Sequence, residues 1–231
     1  MKILNDLYDY NLKIYQDEDY FKFSLDSILL AEYIKLKNND KIIDLCTGNA
    51  PIPLILSTKY DNEIYGIEIQ NNVYNNAIDS ITYNNLQEQI KIINDDVKNV
   101  KNYFPGNNFD VVSCNPPFFK YNKNALINEV EEKAISRHEI KVSLEELCWQ
   151  INYLLKDNGC SYMVHRADRL TELTIILNNY GIAIKELVFI KTNKSAELAL
   201  VLIKAVKKGK LGVKVKCLDV QDLKTYKNIF D

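Results

Sequence analysis

The chain has 231 residues, of which 47% are hydrophobic and 26% charged, and its 29 Lys+Arg against 31 Asp+Glu give a formal net charge of −2. These values fit one compact domain. The chain has no apolar run of about 18 residues, which excludes a membrane span. The N-terminal segment lacks a signal-peptide core. Five widely spaced cysteines and only two histidines argue against a disulfide framework or a metal site. We therefore expect a cytoplasmic protein with no metal and no membrane contact.

Short apolar runs alternate along the chain with longer segments of helical periodicity. Buried strands are predicted at 41–45, 63–69, 90–94, 109–114 and 160–165. Strand–helix–strand repetition requires crossover connections, so these strands should run parallel. Only about six residues separate Ile190 from Ala196, too few for a helical crossover. The last two strands, within 186–206, should therefore form an antiparallel hairpin on the edge of the sheet.

These elements predict an α/β fold. We expect a Rossmann-like, mostly parallel sheet of seven strands with an antiparallel C-terminal edge strand, helices on both faces and an N-terminal extension. The chain should be a single domain with an extension at 1–38, a core at 39–206 and a basic tail at 207–231. An amphipathic helix is predicted near 25–36, and Ser143 with Glu146 forms a capping box for a helix at 144–155.

Acidic residues stand at the ends of the first three core strands, namely Asp44, Glu68, Asp95 and Asp96. Ligands of open parallel sheets bind outside the carboxyl ends of the strands. The turn after the first strand contains Thr47, Gly48 and Asn49, and its small residues would let a ligand approach the backbone. Glu68 follows Gly48 by about 20 residues, the offset at which a carboxylate meets a ribose diol. Together these signals favour a nucleoside-bearing cofactor over a plain connection.

The motif Asn115-Pro116-Pro117-Phe118 follows the fourth core strand directly. It is either a rigid turn with a surface phenylalanine or a site for a planar amine, whose lone pair is delocalised and poorly nucleophilic. The Asn115 side-chain oxygen and the Pro116 carbonyl could accept the two amine hydrogens, which favours the pyramidal nitrogen and the positive charge that develops on transfer. Phe118 could stack on the planar group. The motif therefore indicates group transfer to an amine.

The sequence resembles the class I S-adenosylmethionine-dependent methyltransferases that modify planar amines. The resemblance rests on four features in chain order: D-x-x-x-G at the end of the first strand, an acidic residue at the end of the second, an Asp after the third, and N-P-P-F after the fourth. The chain is most similar to the tRNA(Val) adenine N6-methyltransferase family. The segments that carry this likeness are 21–31, 44–49, 83–86, 114–118, 137–139 and 195–216. The resemblance implies methyl transfer from S-adenosylmethionine to adenine N6 just 3′ of the anticodon, with tRNA as the partner.

The resemblance also implies which residues hold the cofactor. Asp44 with its turn would line the methionine and ribose, Glu68 would take the ribose hydroxyls, and one of the two strand-three acids would take the adenine. The full set is Asp26, Asp44, Thr47, Gly48, Asn49, Glu68, Asp95, Asp96 and Val97. Cys46 and Ala50 stand where the family pattern D-x-G-x-G-x-G has glycine, and a positive φ at either would be strained.

Basic residues near the C-terminus form a candidate RNA contact. Residues 185–231 contain 11 Lys against 5 Asp+Glu, which is either a solvated edge or a phosphate-binding patch. With the resemblance, we assign the anticodon arm to Lys207, Lys208 and Lys210. Arg137 lies in a charged stretch that is either a solvated surface or a loop that meets an RNA phosphate.

Two alternative functions remain open at this point. The same amine geometry suits guanine N2 of ribosomal RNA or a glutamine amide of a translation release factor. A protein of another class, a non-catalytic RNA binder that retains the methyltransferase fold, would be compatible with the substitutions at Cys46 and Ala50. The intact motif at 115–118 argues against such a binder, which has no need of an amine site.

Overall fold

The computed structural model describes residues 2–17, 24–116, 118, 142–191, 198–220 and 225–230. Within them the strands are β1 (Lys2–Asp6), β2 (Lys13–Asp17), β3 (Ile42–Leu45), β4 (Ile64–Glu68), β5 (Ile90–Asn94), β6 (Phe109–Cys114), β7 (Leu155–Arg166), β8 (Ile182–Lys191), β9 (Leu200–Lys207) and β10 (Lys214–Asp219). The α-helices are α1 (Leu25–Tyr33), α2 (Pro51–Ser57), α3 (Asn71–Tyr83), α4 (Leu144–Leu154) and α5 (Leu170–Asn179). None of the described helices is long and apolar enough to cross a membrane.

Eight of the strands form one sheet in the order β10-β8-β9-β7-β6-β3-β4-β5. Each pair from β7 to β5 is parallel, and β8 is parallel to β10. Strand β9 runs antiparallel to both of its neighbours. The α/β fold with a mostly parallel sheet and the hairpin of β8 and β9 are confirmed.

Two details of the predicted sheet are wrong. The antiparallel strand β9 is not at the edge, because it fills the space between β7 and β8. The edge is taken by an eighth strand, β10, which lies in the segment predicted as a basic tail. Its sequence KVKCLD alternates lysine with apolar residues, and only its Leu218 is not fully exposed. Such charge on a strand is typical of the outermost, solvent-facing strand of a sheet. In the sequence, the same lysines led to the prediction of a basic tail.

Helices cover both faces of the sheet, as predicted. On one face, α1 and α2 bury residues such as Leu29, Leu30 and Leu54 against the strands. On the other face, α4 and α5 bury Leu147 and Leu173 in a second core. The capping box that begins α4 is present, since Glu146 N donates to Ser143 Oγ at 3.2 Å and Ser143 N donates to Glu146 Oε2 at 2.8 Å. The helix predicted near 25–36 is shorter in the structure and ends at Tyr33.

The N-terminal segment folds as a separate two-stranded sheet of β1 and β2, followed by α1. Glu32 of α1 is fully buried and accepts hydrogen bonds from Tyr10 OH at 2.8 Å, Lys59 Nζ at 2.9 Å and the backbone N of Asn228 at 2.8 Å. A buried carboxylate is stable only when its oxygens are paired in this way. Glu32 therefore joins the N-terminal segment, α2 and residues 225–230 on one helix.

Candidate active site at the carboxyl ends of the strands

The carboxyl ends of β3, β4 and β6 lie side by side. Leu45 at the end of β3 is level with Ile67 of β4 and Cys114 of β6. The polar residues that follow these strands in the sequence therefore meet along one side of the sheet, which is where an open parallel sheet binds its ligands. We call this side, at the carboxyl ends of β3 to β7, the ligand edge, and the side at the amino ends of the same strands the opposite edge. Both names refer to the ends of the strands and not to the outermost strands of the sheet.

Asp44 is buried in β3 beside the ligand edge and is 1% exposed. Its Oδ1 accepts a hydrogen bond of 2.6 Å from Ser113 Oγ of β6, and its Oδ2 has no hydrogen-bond partner among the described residues. Burial raises the pKa of Asp44 to about 6, opposed by the hydrogen bond from the Ser113 hydroxyl. The carboxyl group is thus fixed by the fold and keeps one oxygen for a ligand.

The loop between β3 and α2 has three left-handed residues at alternate positions. The φ angles are 56° at Cys46, 60° at Gly48 and 64° at Ala50, so the backbone keeps the form expected of the glycine pattern. Each L-residue in this region costs about 1–2 kcal/mol, and the strain expected at Cys46 and Ala50 is therefore present. Apart from Gly48 and its two chain neighbours, no described residue has an atom within 4 Å of where a Cβ on Gly48 would stand, so open space adjoins the backbone there.

Polar atoms of the same loop are buried without partners. Thr47 is 3% and Asn49 4% exposed, yet Thr47 Oγ1 and Asn49 Oδ1 make no hydrogen bond within the described chain. A buried polar atom left unpaired costs roughly 1–3 kcal/mol. With Asp44 Oδ2, three unpaired oxygens therefore lie in β3 and in the loop that follows it, which fits a ligand that carries hydrogen-bond donors.

Glu68 ends β4 and ties the loop to the neighbouring strand. Its Oε2 accepts from Gly48 N at 3.0 Å, and its Oε1 accepts from Gln70 N at 2.8 Å. Burial raises the pKa of Glu68, and the backbone donors of Gln70 and Gly48 oppose that rise. A carboxylate has about four acceptor positions, so both oxygens retain capacity for ligand hydroxyls.

The structure separates the roles of the two acids after β5. Asp95 Oδ1 accepts from Asp96 N at 2.7 Å and Asn99 Nδ2 at 2.8 Å, and its Oδ2 accepts from Tyr103 OH at 2.7 Å. The side-chain donors Asn99 and Tyr103 lower the pKa of Asp95. Both of its oxygens are therefore already used by the protein.

Asp96 instead caps the short 3-10 helix Val97–Asn102, where its Oδ1 accepts from Lys98 N at 2.9 Å. Its Oδ2 lies 3.3 Å from Lys98 Nζ in an exposed ion pair, an interaction worth little in water. Val97 is buried beside it. Of the two acids, Asp96 keeps more capacity for a ligand.

The N-terminus of α1 reaches the motif that follows β6. Asn115 Nδ2 donates a hydrogen bond of 2.9 Å to Ser27 Oγ, and no described residue donates to Asn115 Oδ1. The amide is thereby oriented with its acceptor oxygen available. Asp26 precedes Ser27 in the first turn of α1, where burial raises its pKa. Asp26 is therefore within one residue of a direct contact to the motif.

Phe118 is held from β7 and the turn after it. Its ring centroid lies 5.5 Å from that of His165 at an interplanar angle of 54°. Its carbonyl oxygen accepts from Arg169 Nη1 at 3.4 Å, and Arg169 also pairs with Glu172 at 3.1 Å. Pro116 is buried. The ring is thus supported on one side by the protein.

Several residues at this site escaped the sequence analysis, and two predicted ones cannot be placed. Pro117 and Arg137 lie outside the described residues. The residues that no motif indicated are Ser27, Ser113, His165 and Arg169. Ser27 lies inside the segment 21–31 that carries the family resemblance, so the sequence indicated that this segment matters. It did not indicate the contact between Ser27 and Asn115. Ser113 donates to Asp44, and His165 and Arg169 contact Phe118. A single sequence has no signal for such contacts.

The three predicted RNA-binding lysines lie at the opposite edge. Strand β9 pairs with β7 from Leu200 beside Arg166 to Val206 beside Cys160. Six residues of strand correspond to about 20 Å, so Lys207, which ends β9, is about that far from the ligand edge. Lys208 and Lys210 follow it and are exposed.

Lys207 is occupied by the fold. Its Nζ donates to Asn107 Oδ1 at 2.9 Å, to the carbonyl of Asn152 at 2.6 Å and to the carbonyl of Leu155 at 2.9 Å. The two carbonyls belong to the C-terminal end of α4, where a cation also meets the negative end of the helix dipole. Lys208 forms an exposed ion pair of 2.7 Å with Asp157.

Comparisons with known proteins agree with this geometry. A protein-family model described as RNA methyltransferase matches residues 13–159. A protein of Shewanella halifaxensis named tRNA1(Val) (adenine(37)-N6)-methyltransferase is 24% identical over 69% of this chain and 63% of its own length. Proteins of the same name from Bacteroides fragilis and Porphyromonas gingivalis are 23% and 26% identical, over 70% and 59% of their own lengths. The chain thus spans less than two thirds of the Shewanella and Porphyromonas relatives.

Solved structures share the fold at low sequence identity. The crystal structure of a predicted O-methyltransferase from Agrobacterium tumefaciens superposes with a TM-score of 0.67 and 16% identity, covering 88% of this chain and 91% of that one. P. horikoshii TYW2 in complex with MeSAdo gives a TM-score of 0.62 and 14% identity, covering 90% of this chain and 72% of that one. Both agree with a Rossmann-like sheet.

Proposed function

Because this chain belongs to the RNA methyltransferase family, whose model matches residues 13–159, we propose that it methylates the N6 amine of an adenine in tRNA. The methyl donor is S-adenosylmethionine, and the target is the adenine just 3′ of the anticodon of tRNA(Val). The observation that carries the proposal is the orientation of Asn115, whose Nδ2 is held by Ser27. The Oδ1 atom then faces away from that contact as an acceptor for an amine.

The ligand edge fits the proposed cofactor. The unpaired oxygens of Asp44, Thr47 and Asn49 belong to β3 and the loop that contains Gly48, and they suit the methionine part with its ammonium group. Glu68 accepts the ribose hydroxyls on the lone pairs that its backbone donors leave. When bound, S-adenosylmethionine supplies an electrophilic methyl group on a sulfonium.

The adenine end and the cover of the methionine come from two further acids. Asp96 accepts from the cofactor's adenine amine, with Val97 against the ring, because Asp95 already accepts three hydrogen bonds within the protein, whereas the Asp96 carboxylate contacts only Lys98 among the described residues. Asp26, at the start of α1, lies beside the contact between Ser27 and Asn115. From there it closes over the methionine part.

The target amine is held by the motif after β6. Asn115 Oδ1 and the Pro116 carbonyl accept its two hydrogens, which favours a pyramidal nitrogen and stabilises the positive charge that develops during transfer. Pro117 fixes the chain between them, and Phe118 stacks on the base that carries the amine. The extra proton leaves to solvent after transfer, so no general base is required.

The tRNA is long enough to touch both edges of the sheet. Lys208 and Lys210 are exposed at the opposite edge, about 20 Å from the motif, and contact phosphates of the anticodon stem, while Arg137 binds another RNA phosphate. Lys207 is engaged by α4 and contributes to folding instead. Replacing Lys208 and Lys210 together by Glu should weaken tRNA binding, most strongly at low salt, and leave cofactor binding unchanged. Equal loss of both would contradict this assignment.

The decisive experiment incubates the protein with S-adenosylmethionine and unmodified total tRNA, then digests the RNA for nucleoside mass spectrometry. A gain of N6-methyladenosine is the expected result. Cofactor binding without any gain would contradict the substrate and direct the search to another planar amine, such as guanine N2 in ribosomal RNA or a release-factor glutamine. Failure to bind the cofactor would instead favour a non-catalytic RNA binder.

A further inference from the structure

His165 is a buried polar residue that lies against the proposed amine site and that the proposed chemistry does not use. It is 1% exposed and stands near the carboxyl end of β7. Cys114 of β6 is level with Met163 of β7, so His165 is level with Pro116, two residues further along each strand. The imidazole also contacts Phe118, with 5.5 Å between the ring centroids.

The hydrogen bonds of His165 determine which nitrogen carries the proton. The backbone N of Arg166 donates to Nδ1 at 2.9 Å, so Nδ1 is an acceptor and the neutral ring carries its hydrogen on Nε2. Burial, together with the nearby charge of Arg169, lowers the pKa of His165 to about 4. At physiological pH the ring is therefore a neutral donor and not a cation.

This donor has no partner within the described residues, where Nε2 is buried and makes no hydrogen bond. A buried donor that stays unpaired is costly, and native proteins retain few of them. The neighbouring polar side chain, Arg169, is itself a donor, and it is taken up by Glu172 and the Phe118 carbonyl. An acceptor brought by a ligand would satisfy Nε2.

We infer that His165 is a specificity-determining residue whose Nε2–H donates to a ring nitrogen of the base that stacks on Phe118. The inference rests on the proposed function, since it requires an adenine there. Purine ring nitrogens N1, N3 and N7 of adenine are pure acceptors, whereas the exocyclic amine goes to Asn115. The two contacts together read both the donor group and an acceptor edge of the base.

The test uses anticodon stem-loop RNAs that carry adenosine, 1-deazaadenosine, 3-deazaadenosine or 7-deazaadenosine at the target position. Single-turnover methylation is measured for the wild-type protein, for His165→Leu, which lacks the donor, and for His165→Gln, which keeps an N–H. We expect the wild-type protein to lose about tenfold in rate or affinity on one of the three analogues, the size of one hydrogen bond. His165→Leu should lose about as much on adenosine and show no further loss on that analogue, and His165→Gln should recover part of it.

Three outcomes would overturn the inference. One is an equal loss by His165→Leu on all four RNAs, which would mean that the imidazole only supports Phe118. The second is full activity of His165→Leu on adenosine, and the third is a wild-type protein that treats all four RNAs alike. Failure of the proposed function is distinct from these, because the wild-type protein would then leave the adenosine RNA unmethylated. Cofactor affinity and the thermal midpoint of each variant show whether it is folded.

Discussion

The two edges of the eight-stranded sheet treat polar groups in opposite ways. At the ligand edge, oxygens of Asp44, Thr47 and Asn49 and Nε2 of His165 are buried without partners among the described residues. At the opposite edge, Lys207 satisfies its ammonium with three oxygens of the fold. An unmade hydrogen bond destabilises a folded chain, so the four unpaired groups gathered at the ligand edge are where a ligand would add stability, whereas the Lys207 ammonium already has its partners.

The largest effect that this comparison predicts is at Asn115. Asn115→Ala removes the acceptor for the amine, and we expect a loss of roughly 10²–10³ in the methylation rate, as for other groups that stabilise developing charge. Cofactor affinity should stay near the wild-type value, because Asn115 does not line the cofactor. Asn178→Ala, an exposed asparagine of α5, is the matched control and should leave the rate unchanged. Retained turnover in Asn115→Ala would refute the role in amine activation.

The pH dependence of stability distinguishes two buried groups of the ligand edge. The pKa of Asp44 is raised to about 6, so the folded protein holds a proton that the unfolded chain releases, and stability falls as pH rises from about 4 to 6. The pKa of His165 is lowered to about 4, so its contribution rises over about pH 4 to 6.5. Each slope is about 1.4 kcal/mol per pH unit.

Asp44→Asn should therefore make the free energy of unfolding rise more steeply with pH between 4 and 6 than it does in the wild-type protein. His165→Gln should change the slope in the opposite direction. Urea unfolding at several pH values measures both. If the plots of unfolding free energy against pH had the same slope for both variants, the pKa shifts of Asp44 and His165 would be refuted.

Lys207 and Lys208 at the opposite edge should contribute differently to the free energy of unfolding, because their contacts differ. Lys207→Met keeps the aliphatic stem and removes three donated hydrogen bonds at the end of α4, which should cost about 1–3 kcal/mol of unfolding free energy. Lys208→Met removes only an exposed ion pair and should change it by less than about 0.5 kcal/mol. Denaturant midpoints compare the two, and equal midpoints would remove the distinction between a capping lysine and a surface one.

Two glycines with similar positive φ angles give a test that is selective for cofactor binding. Gly48 at the ligand edge has φ 60° and Gly181 at the start of β8 has φ 68°, and no described atom lies near the Cβ position of either. Alanine at each should cost about 1–2 kcal/mol from the left-handed backbone alone. Only Gly48→Ala places a methyl group in the open space beside the loop, so only that variant should weaken cofactor binding beyond its loss of stability, as calorimetry would measure.

Periodicity and strand-end residues predicted most of the fold and the cofactor loop, because they depend on local spacing. The strand order did not follow from them: β9 lies between β7 and β8, and no local pattern states which strand fills a gap. Strand β10 was missed since its lysines mask the apolar alternation. Charge likewise could not distinguish Lys207, which caps α4, from its exposed neighbour Lys208.

Partners distant in sequence were equally hidden at the site. Ser27 meets Asn115 across 88 positions of the chain, and His165 meets Phe118 only because β6 and β7 are neighbours. The positive φ angles of Cys46 and Ala50, in contrast, could be anticipated from the glycine pattern they replace. A sequence motif predicts the local backbone conformation, whereas the residues that contact it depend on the tertiary fold.

Glu32 also has a consequence for the nascent chain. Its carboxylate is buried in α1 and is completed by Asn228, which is 196 positions later in the sequence. During synthesis, this carboxylate therefore receives its last hydrogen bond only after residue 228 has left the ribosome. Ser27 at the other end of α1 orients Asn115. We expect the methylation site to reach its final form after residues 225–230 emerge, so that stalled or shortened translation products remain inactive even with every motif residue present.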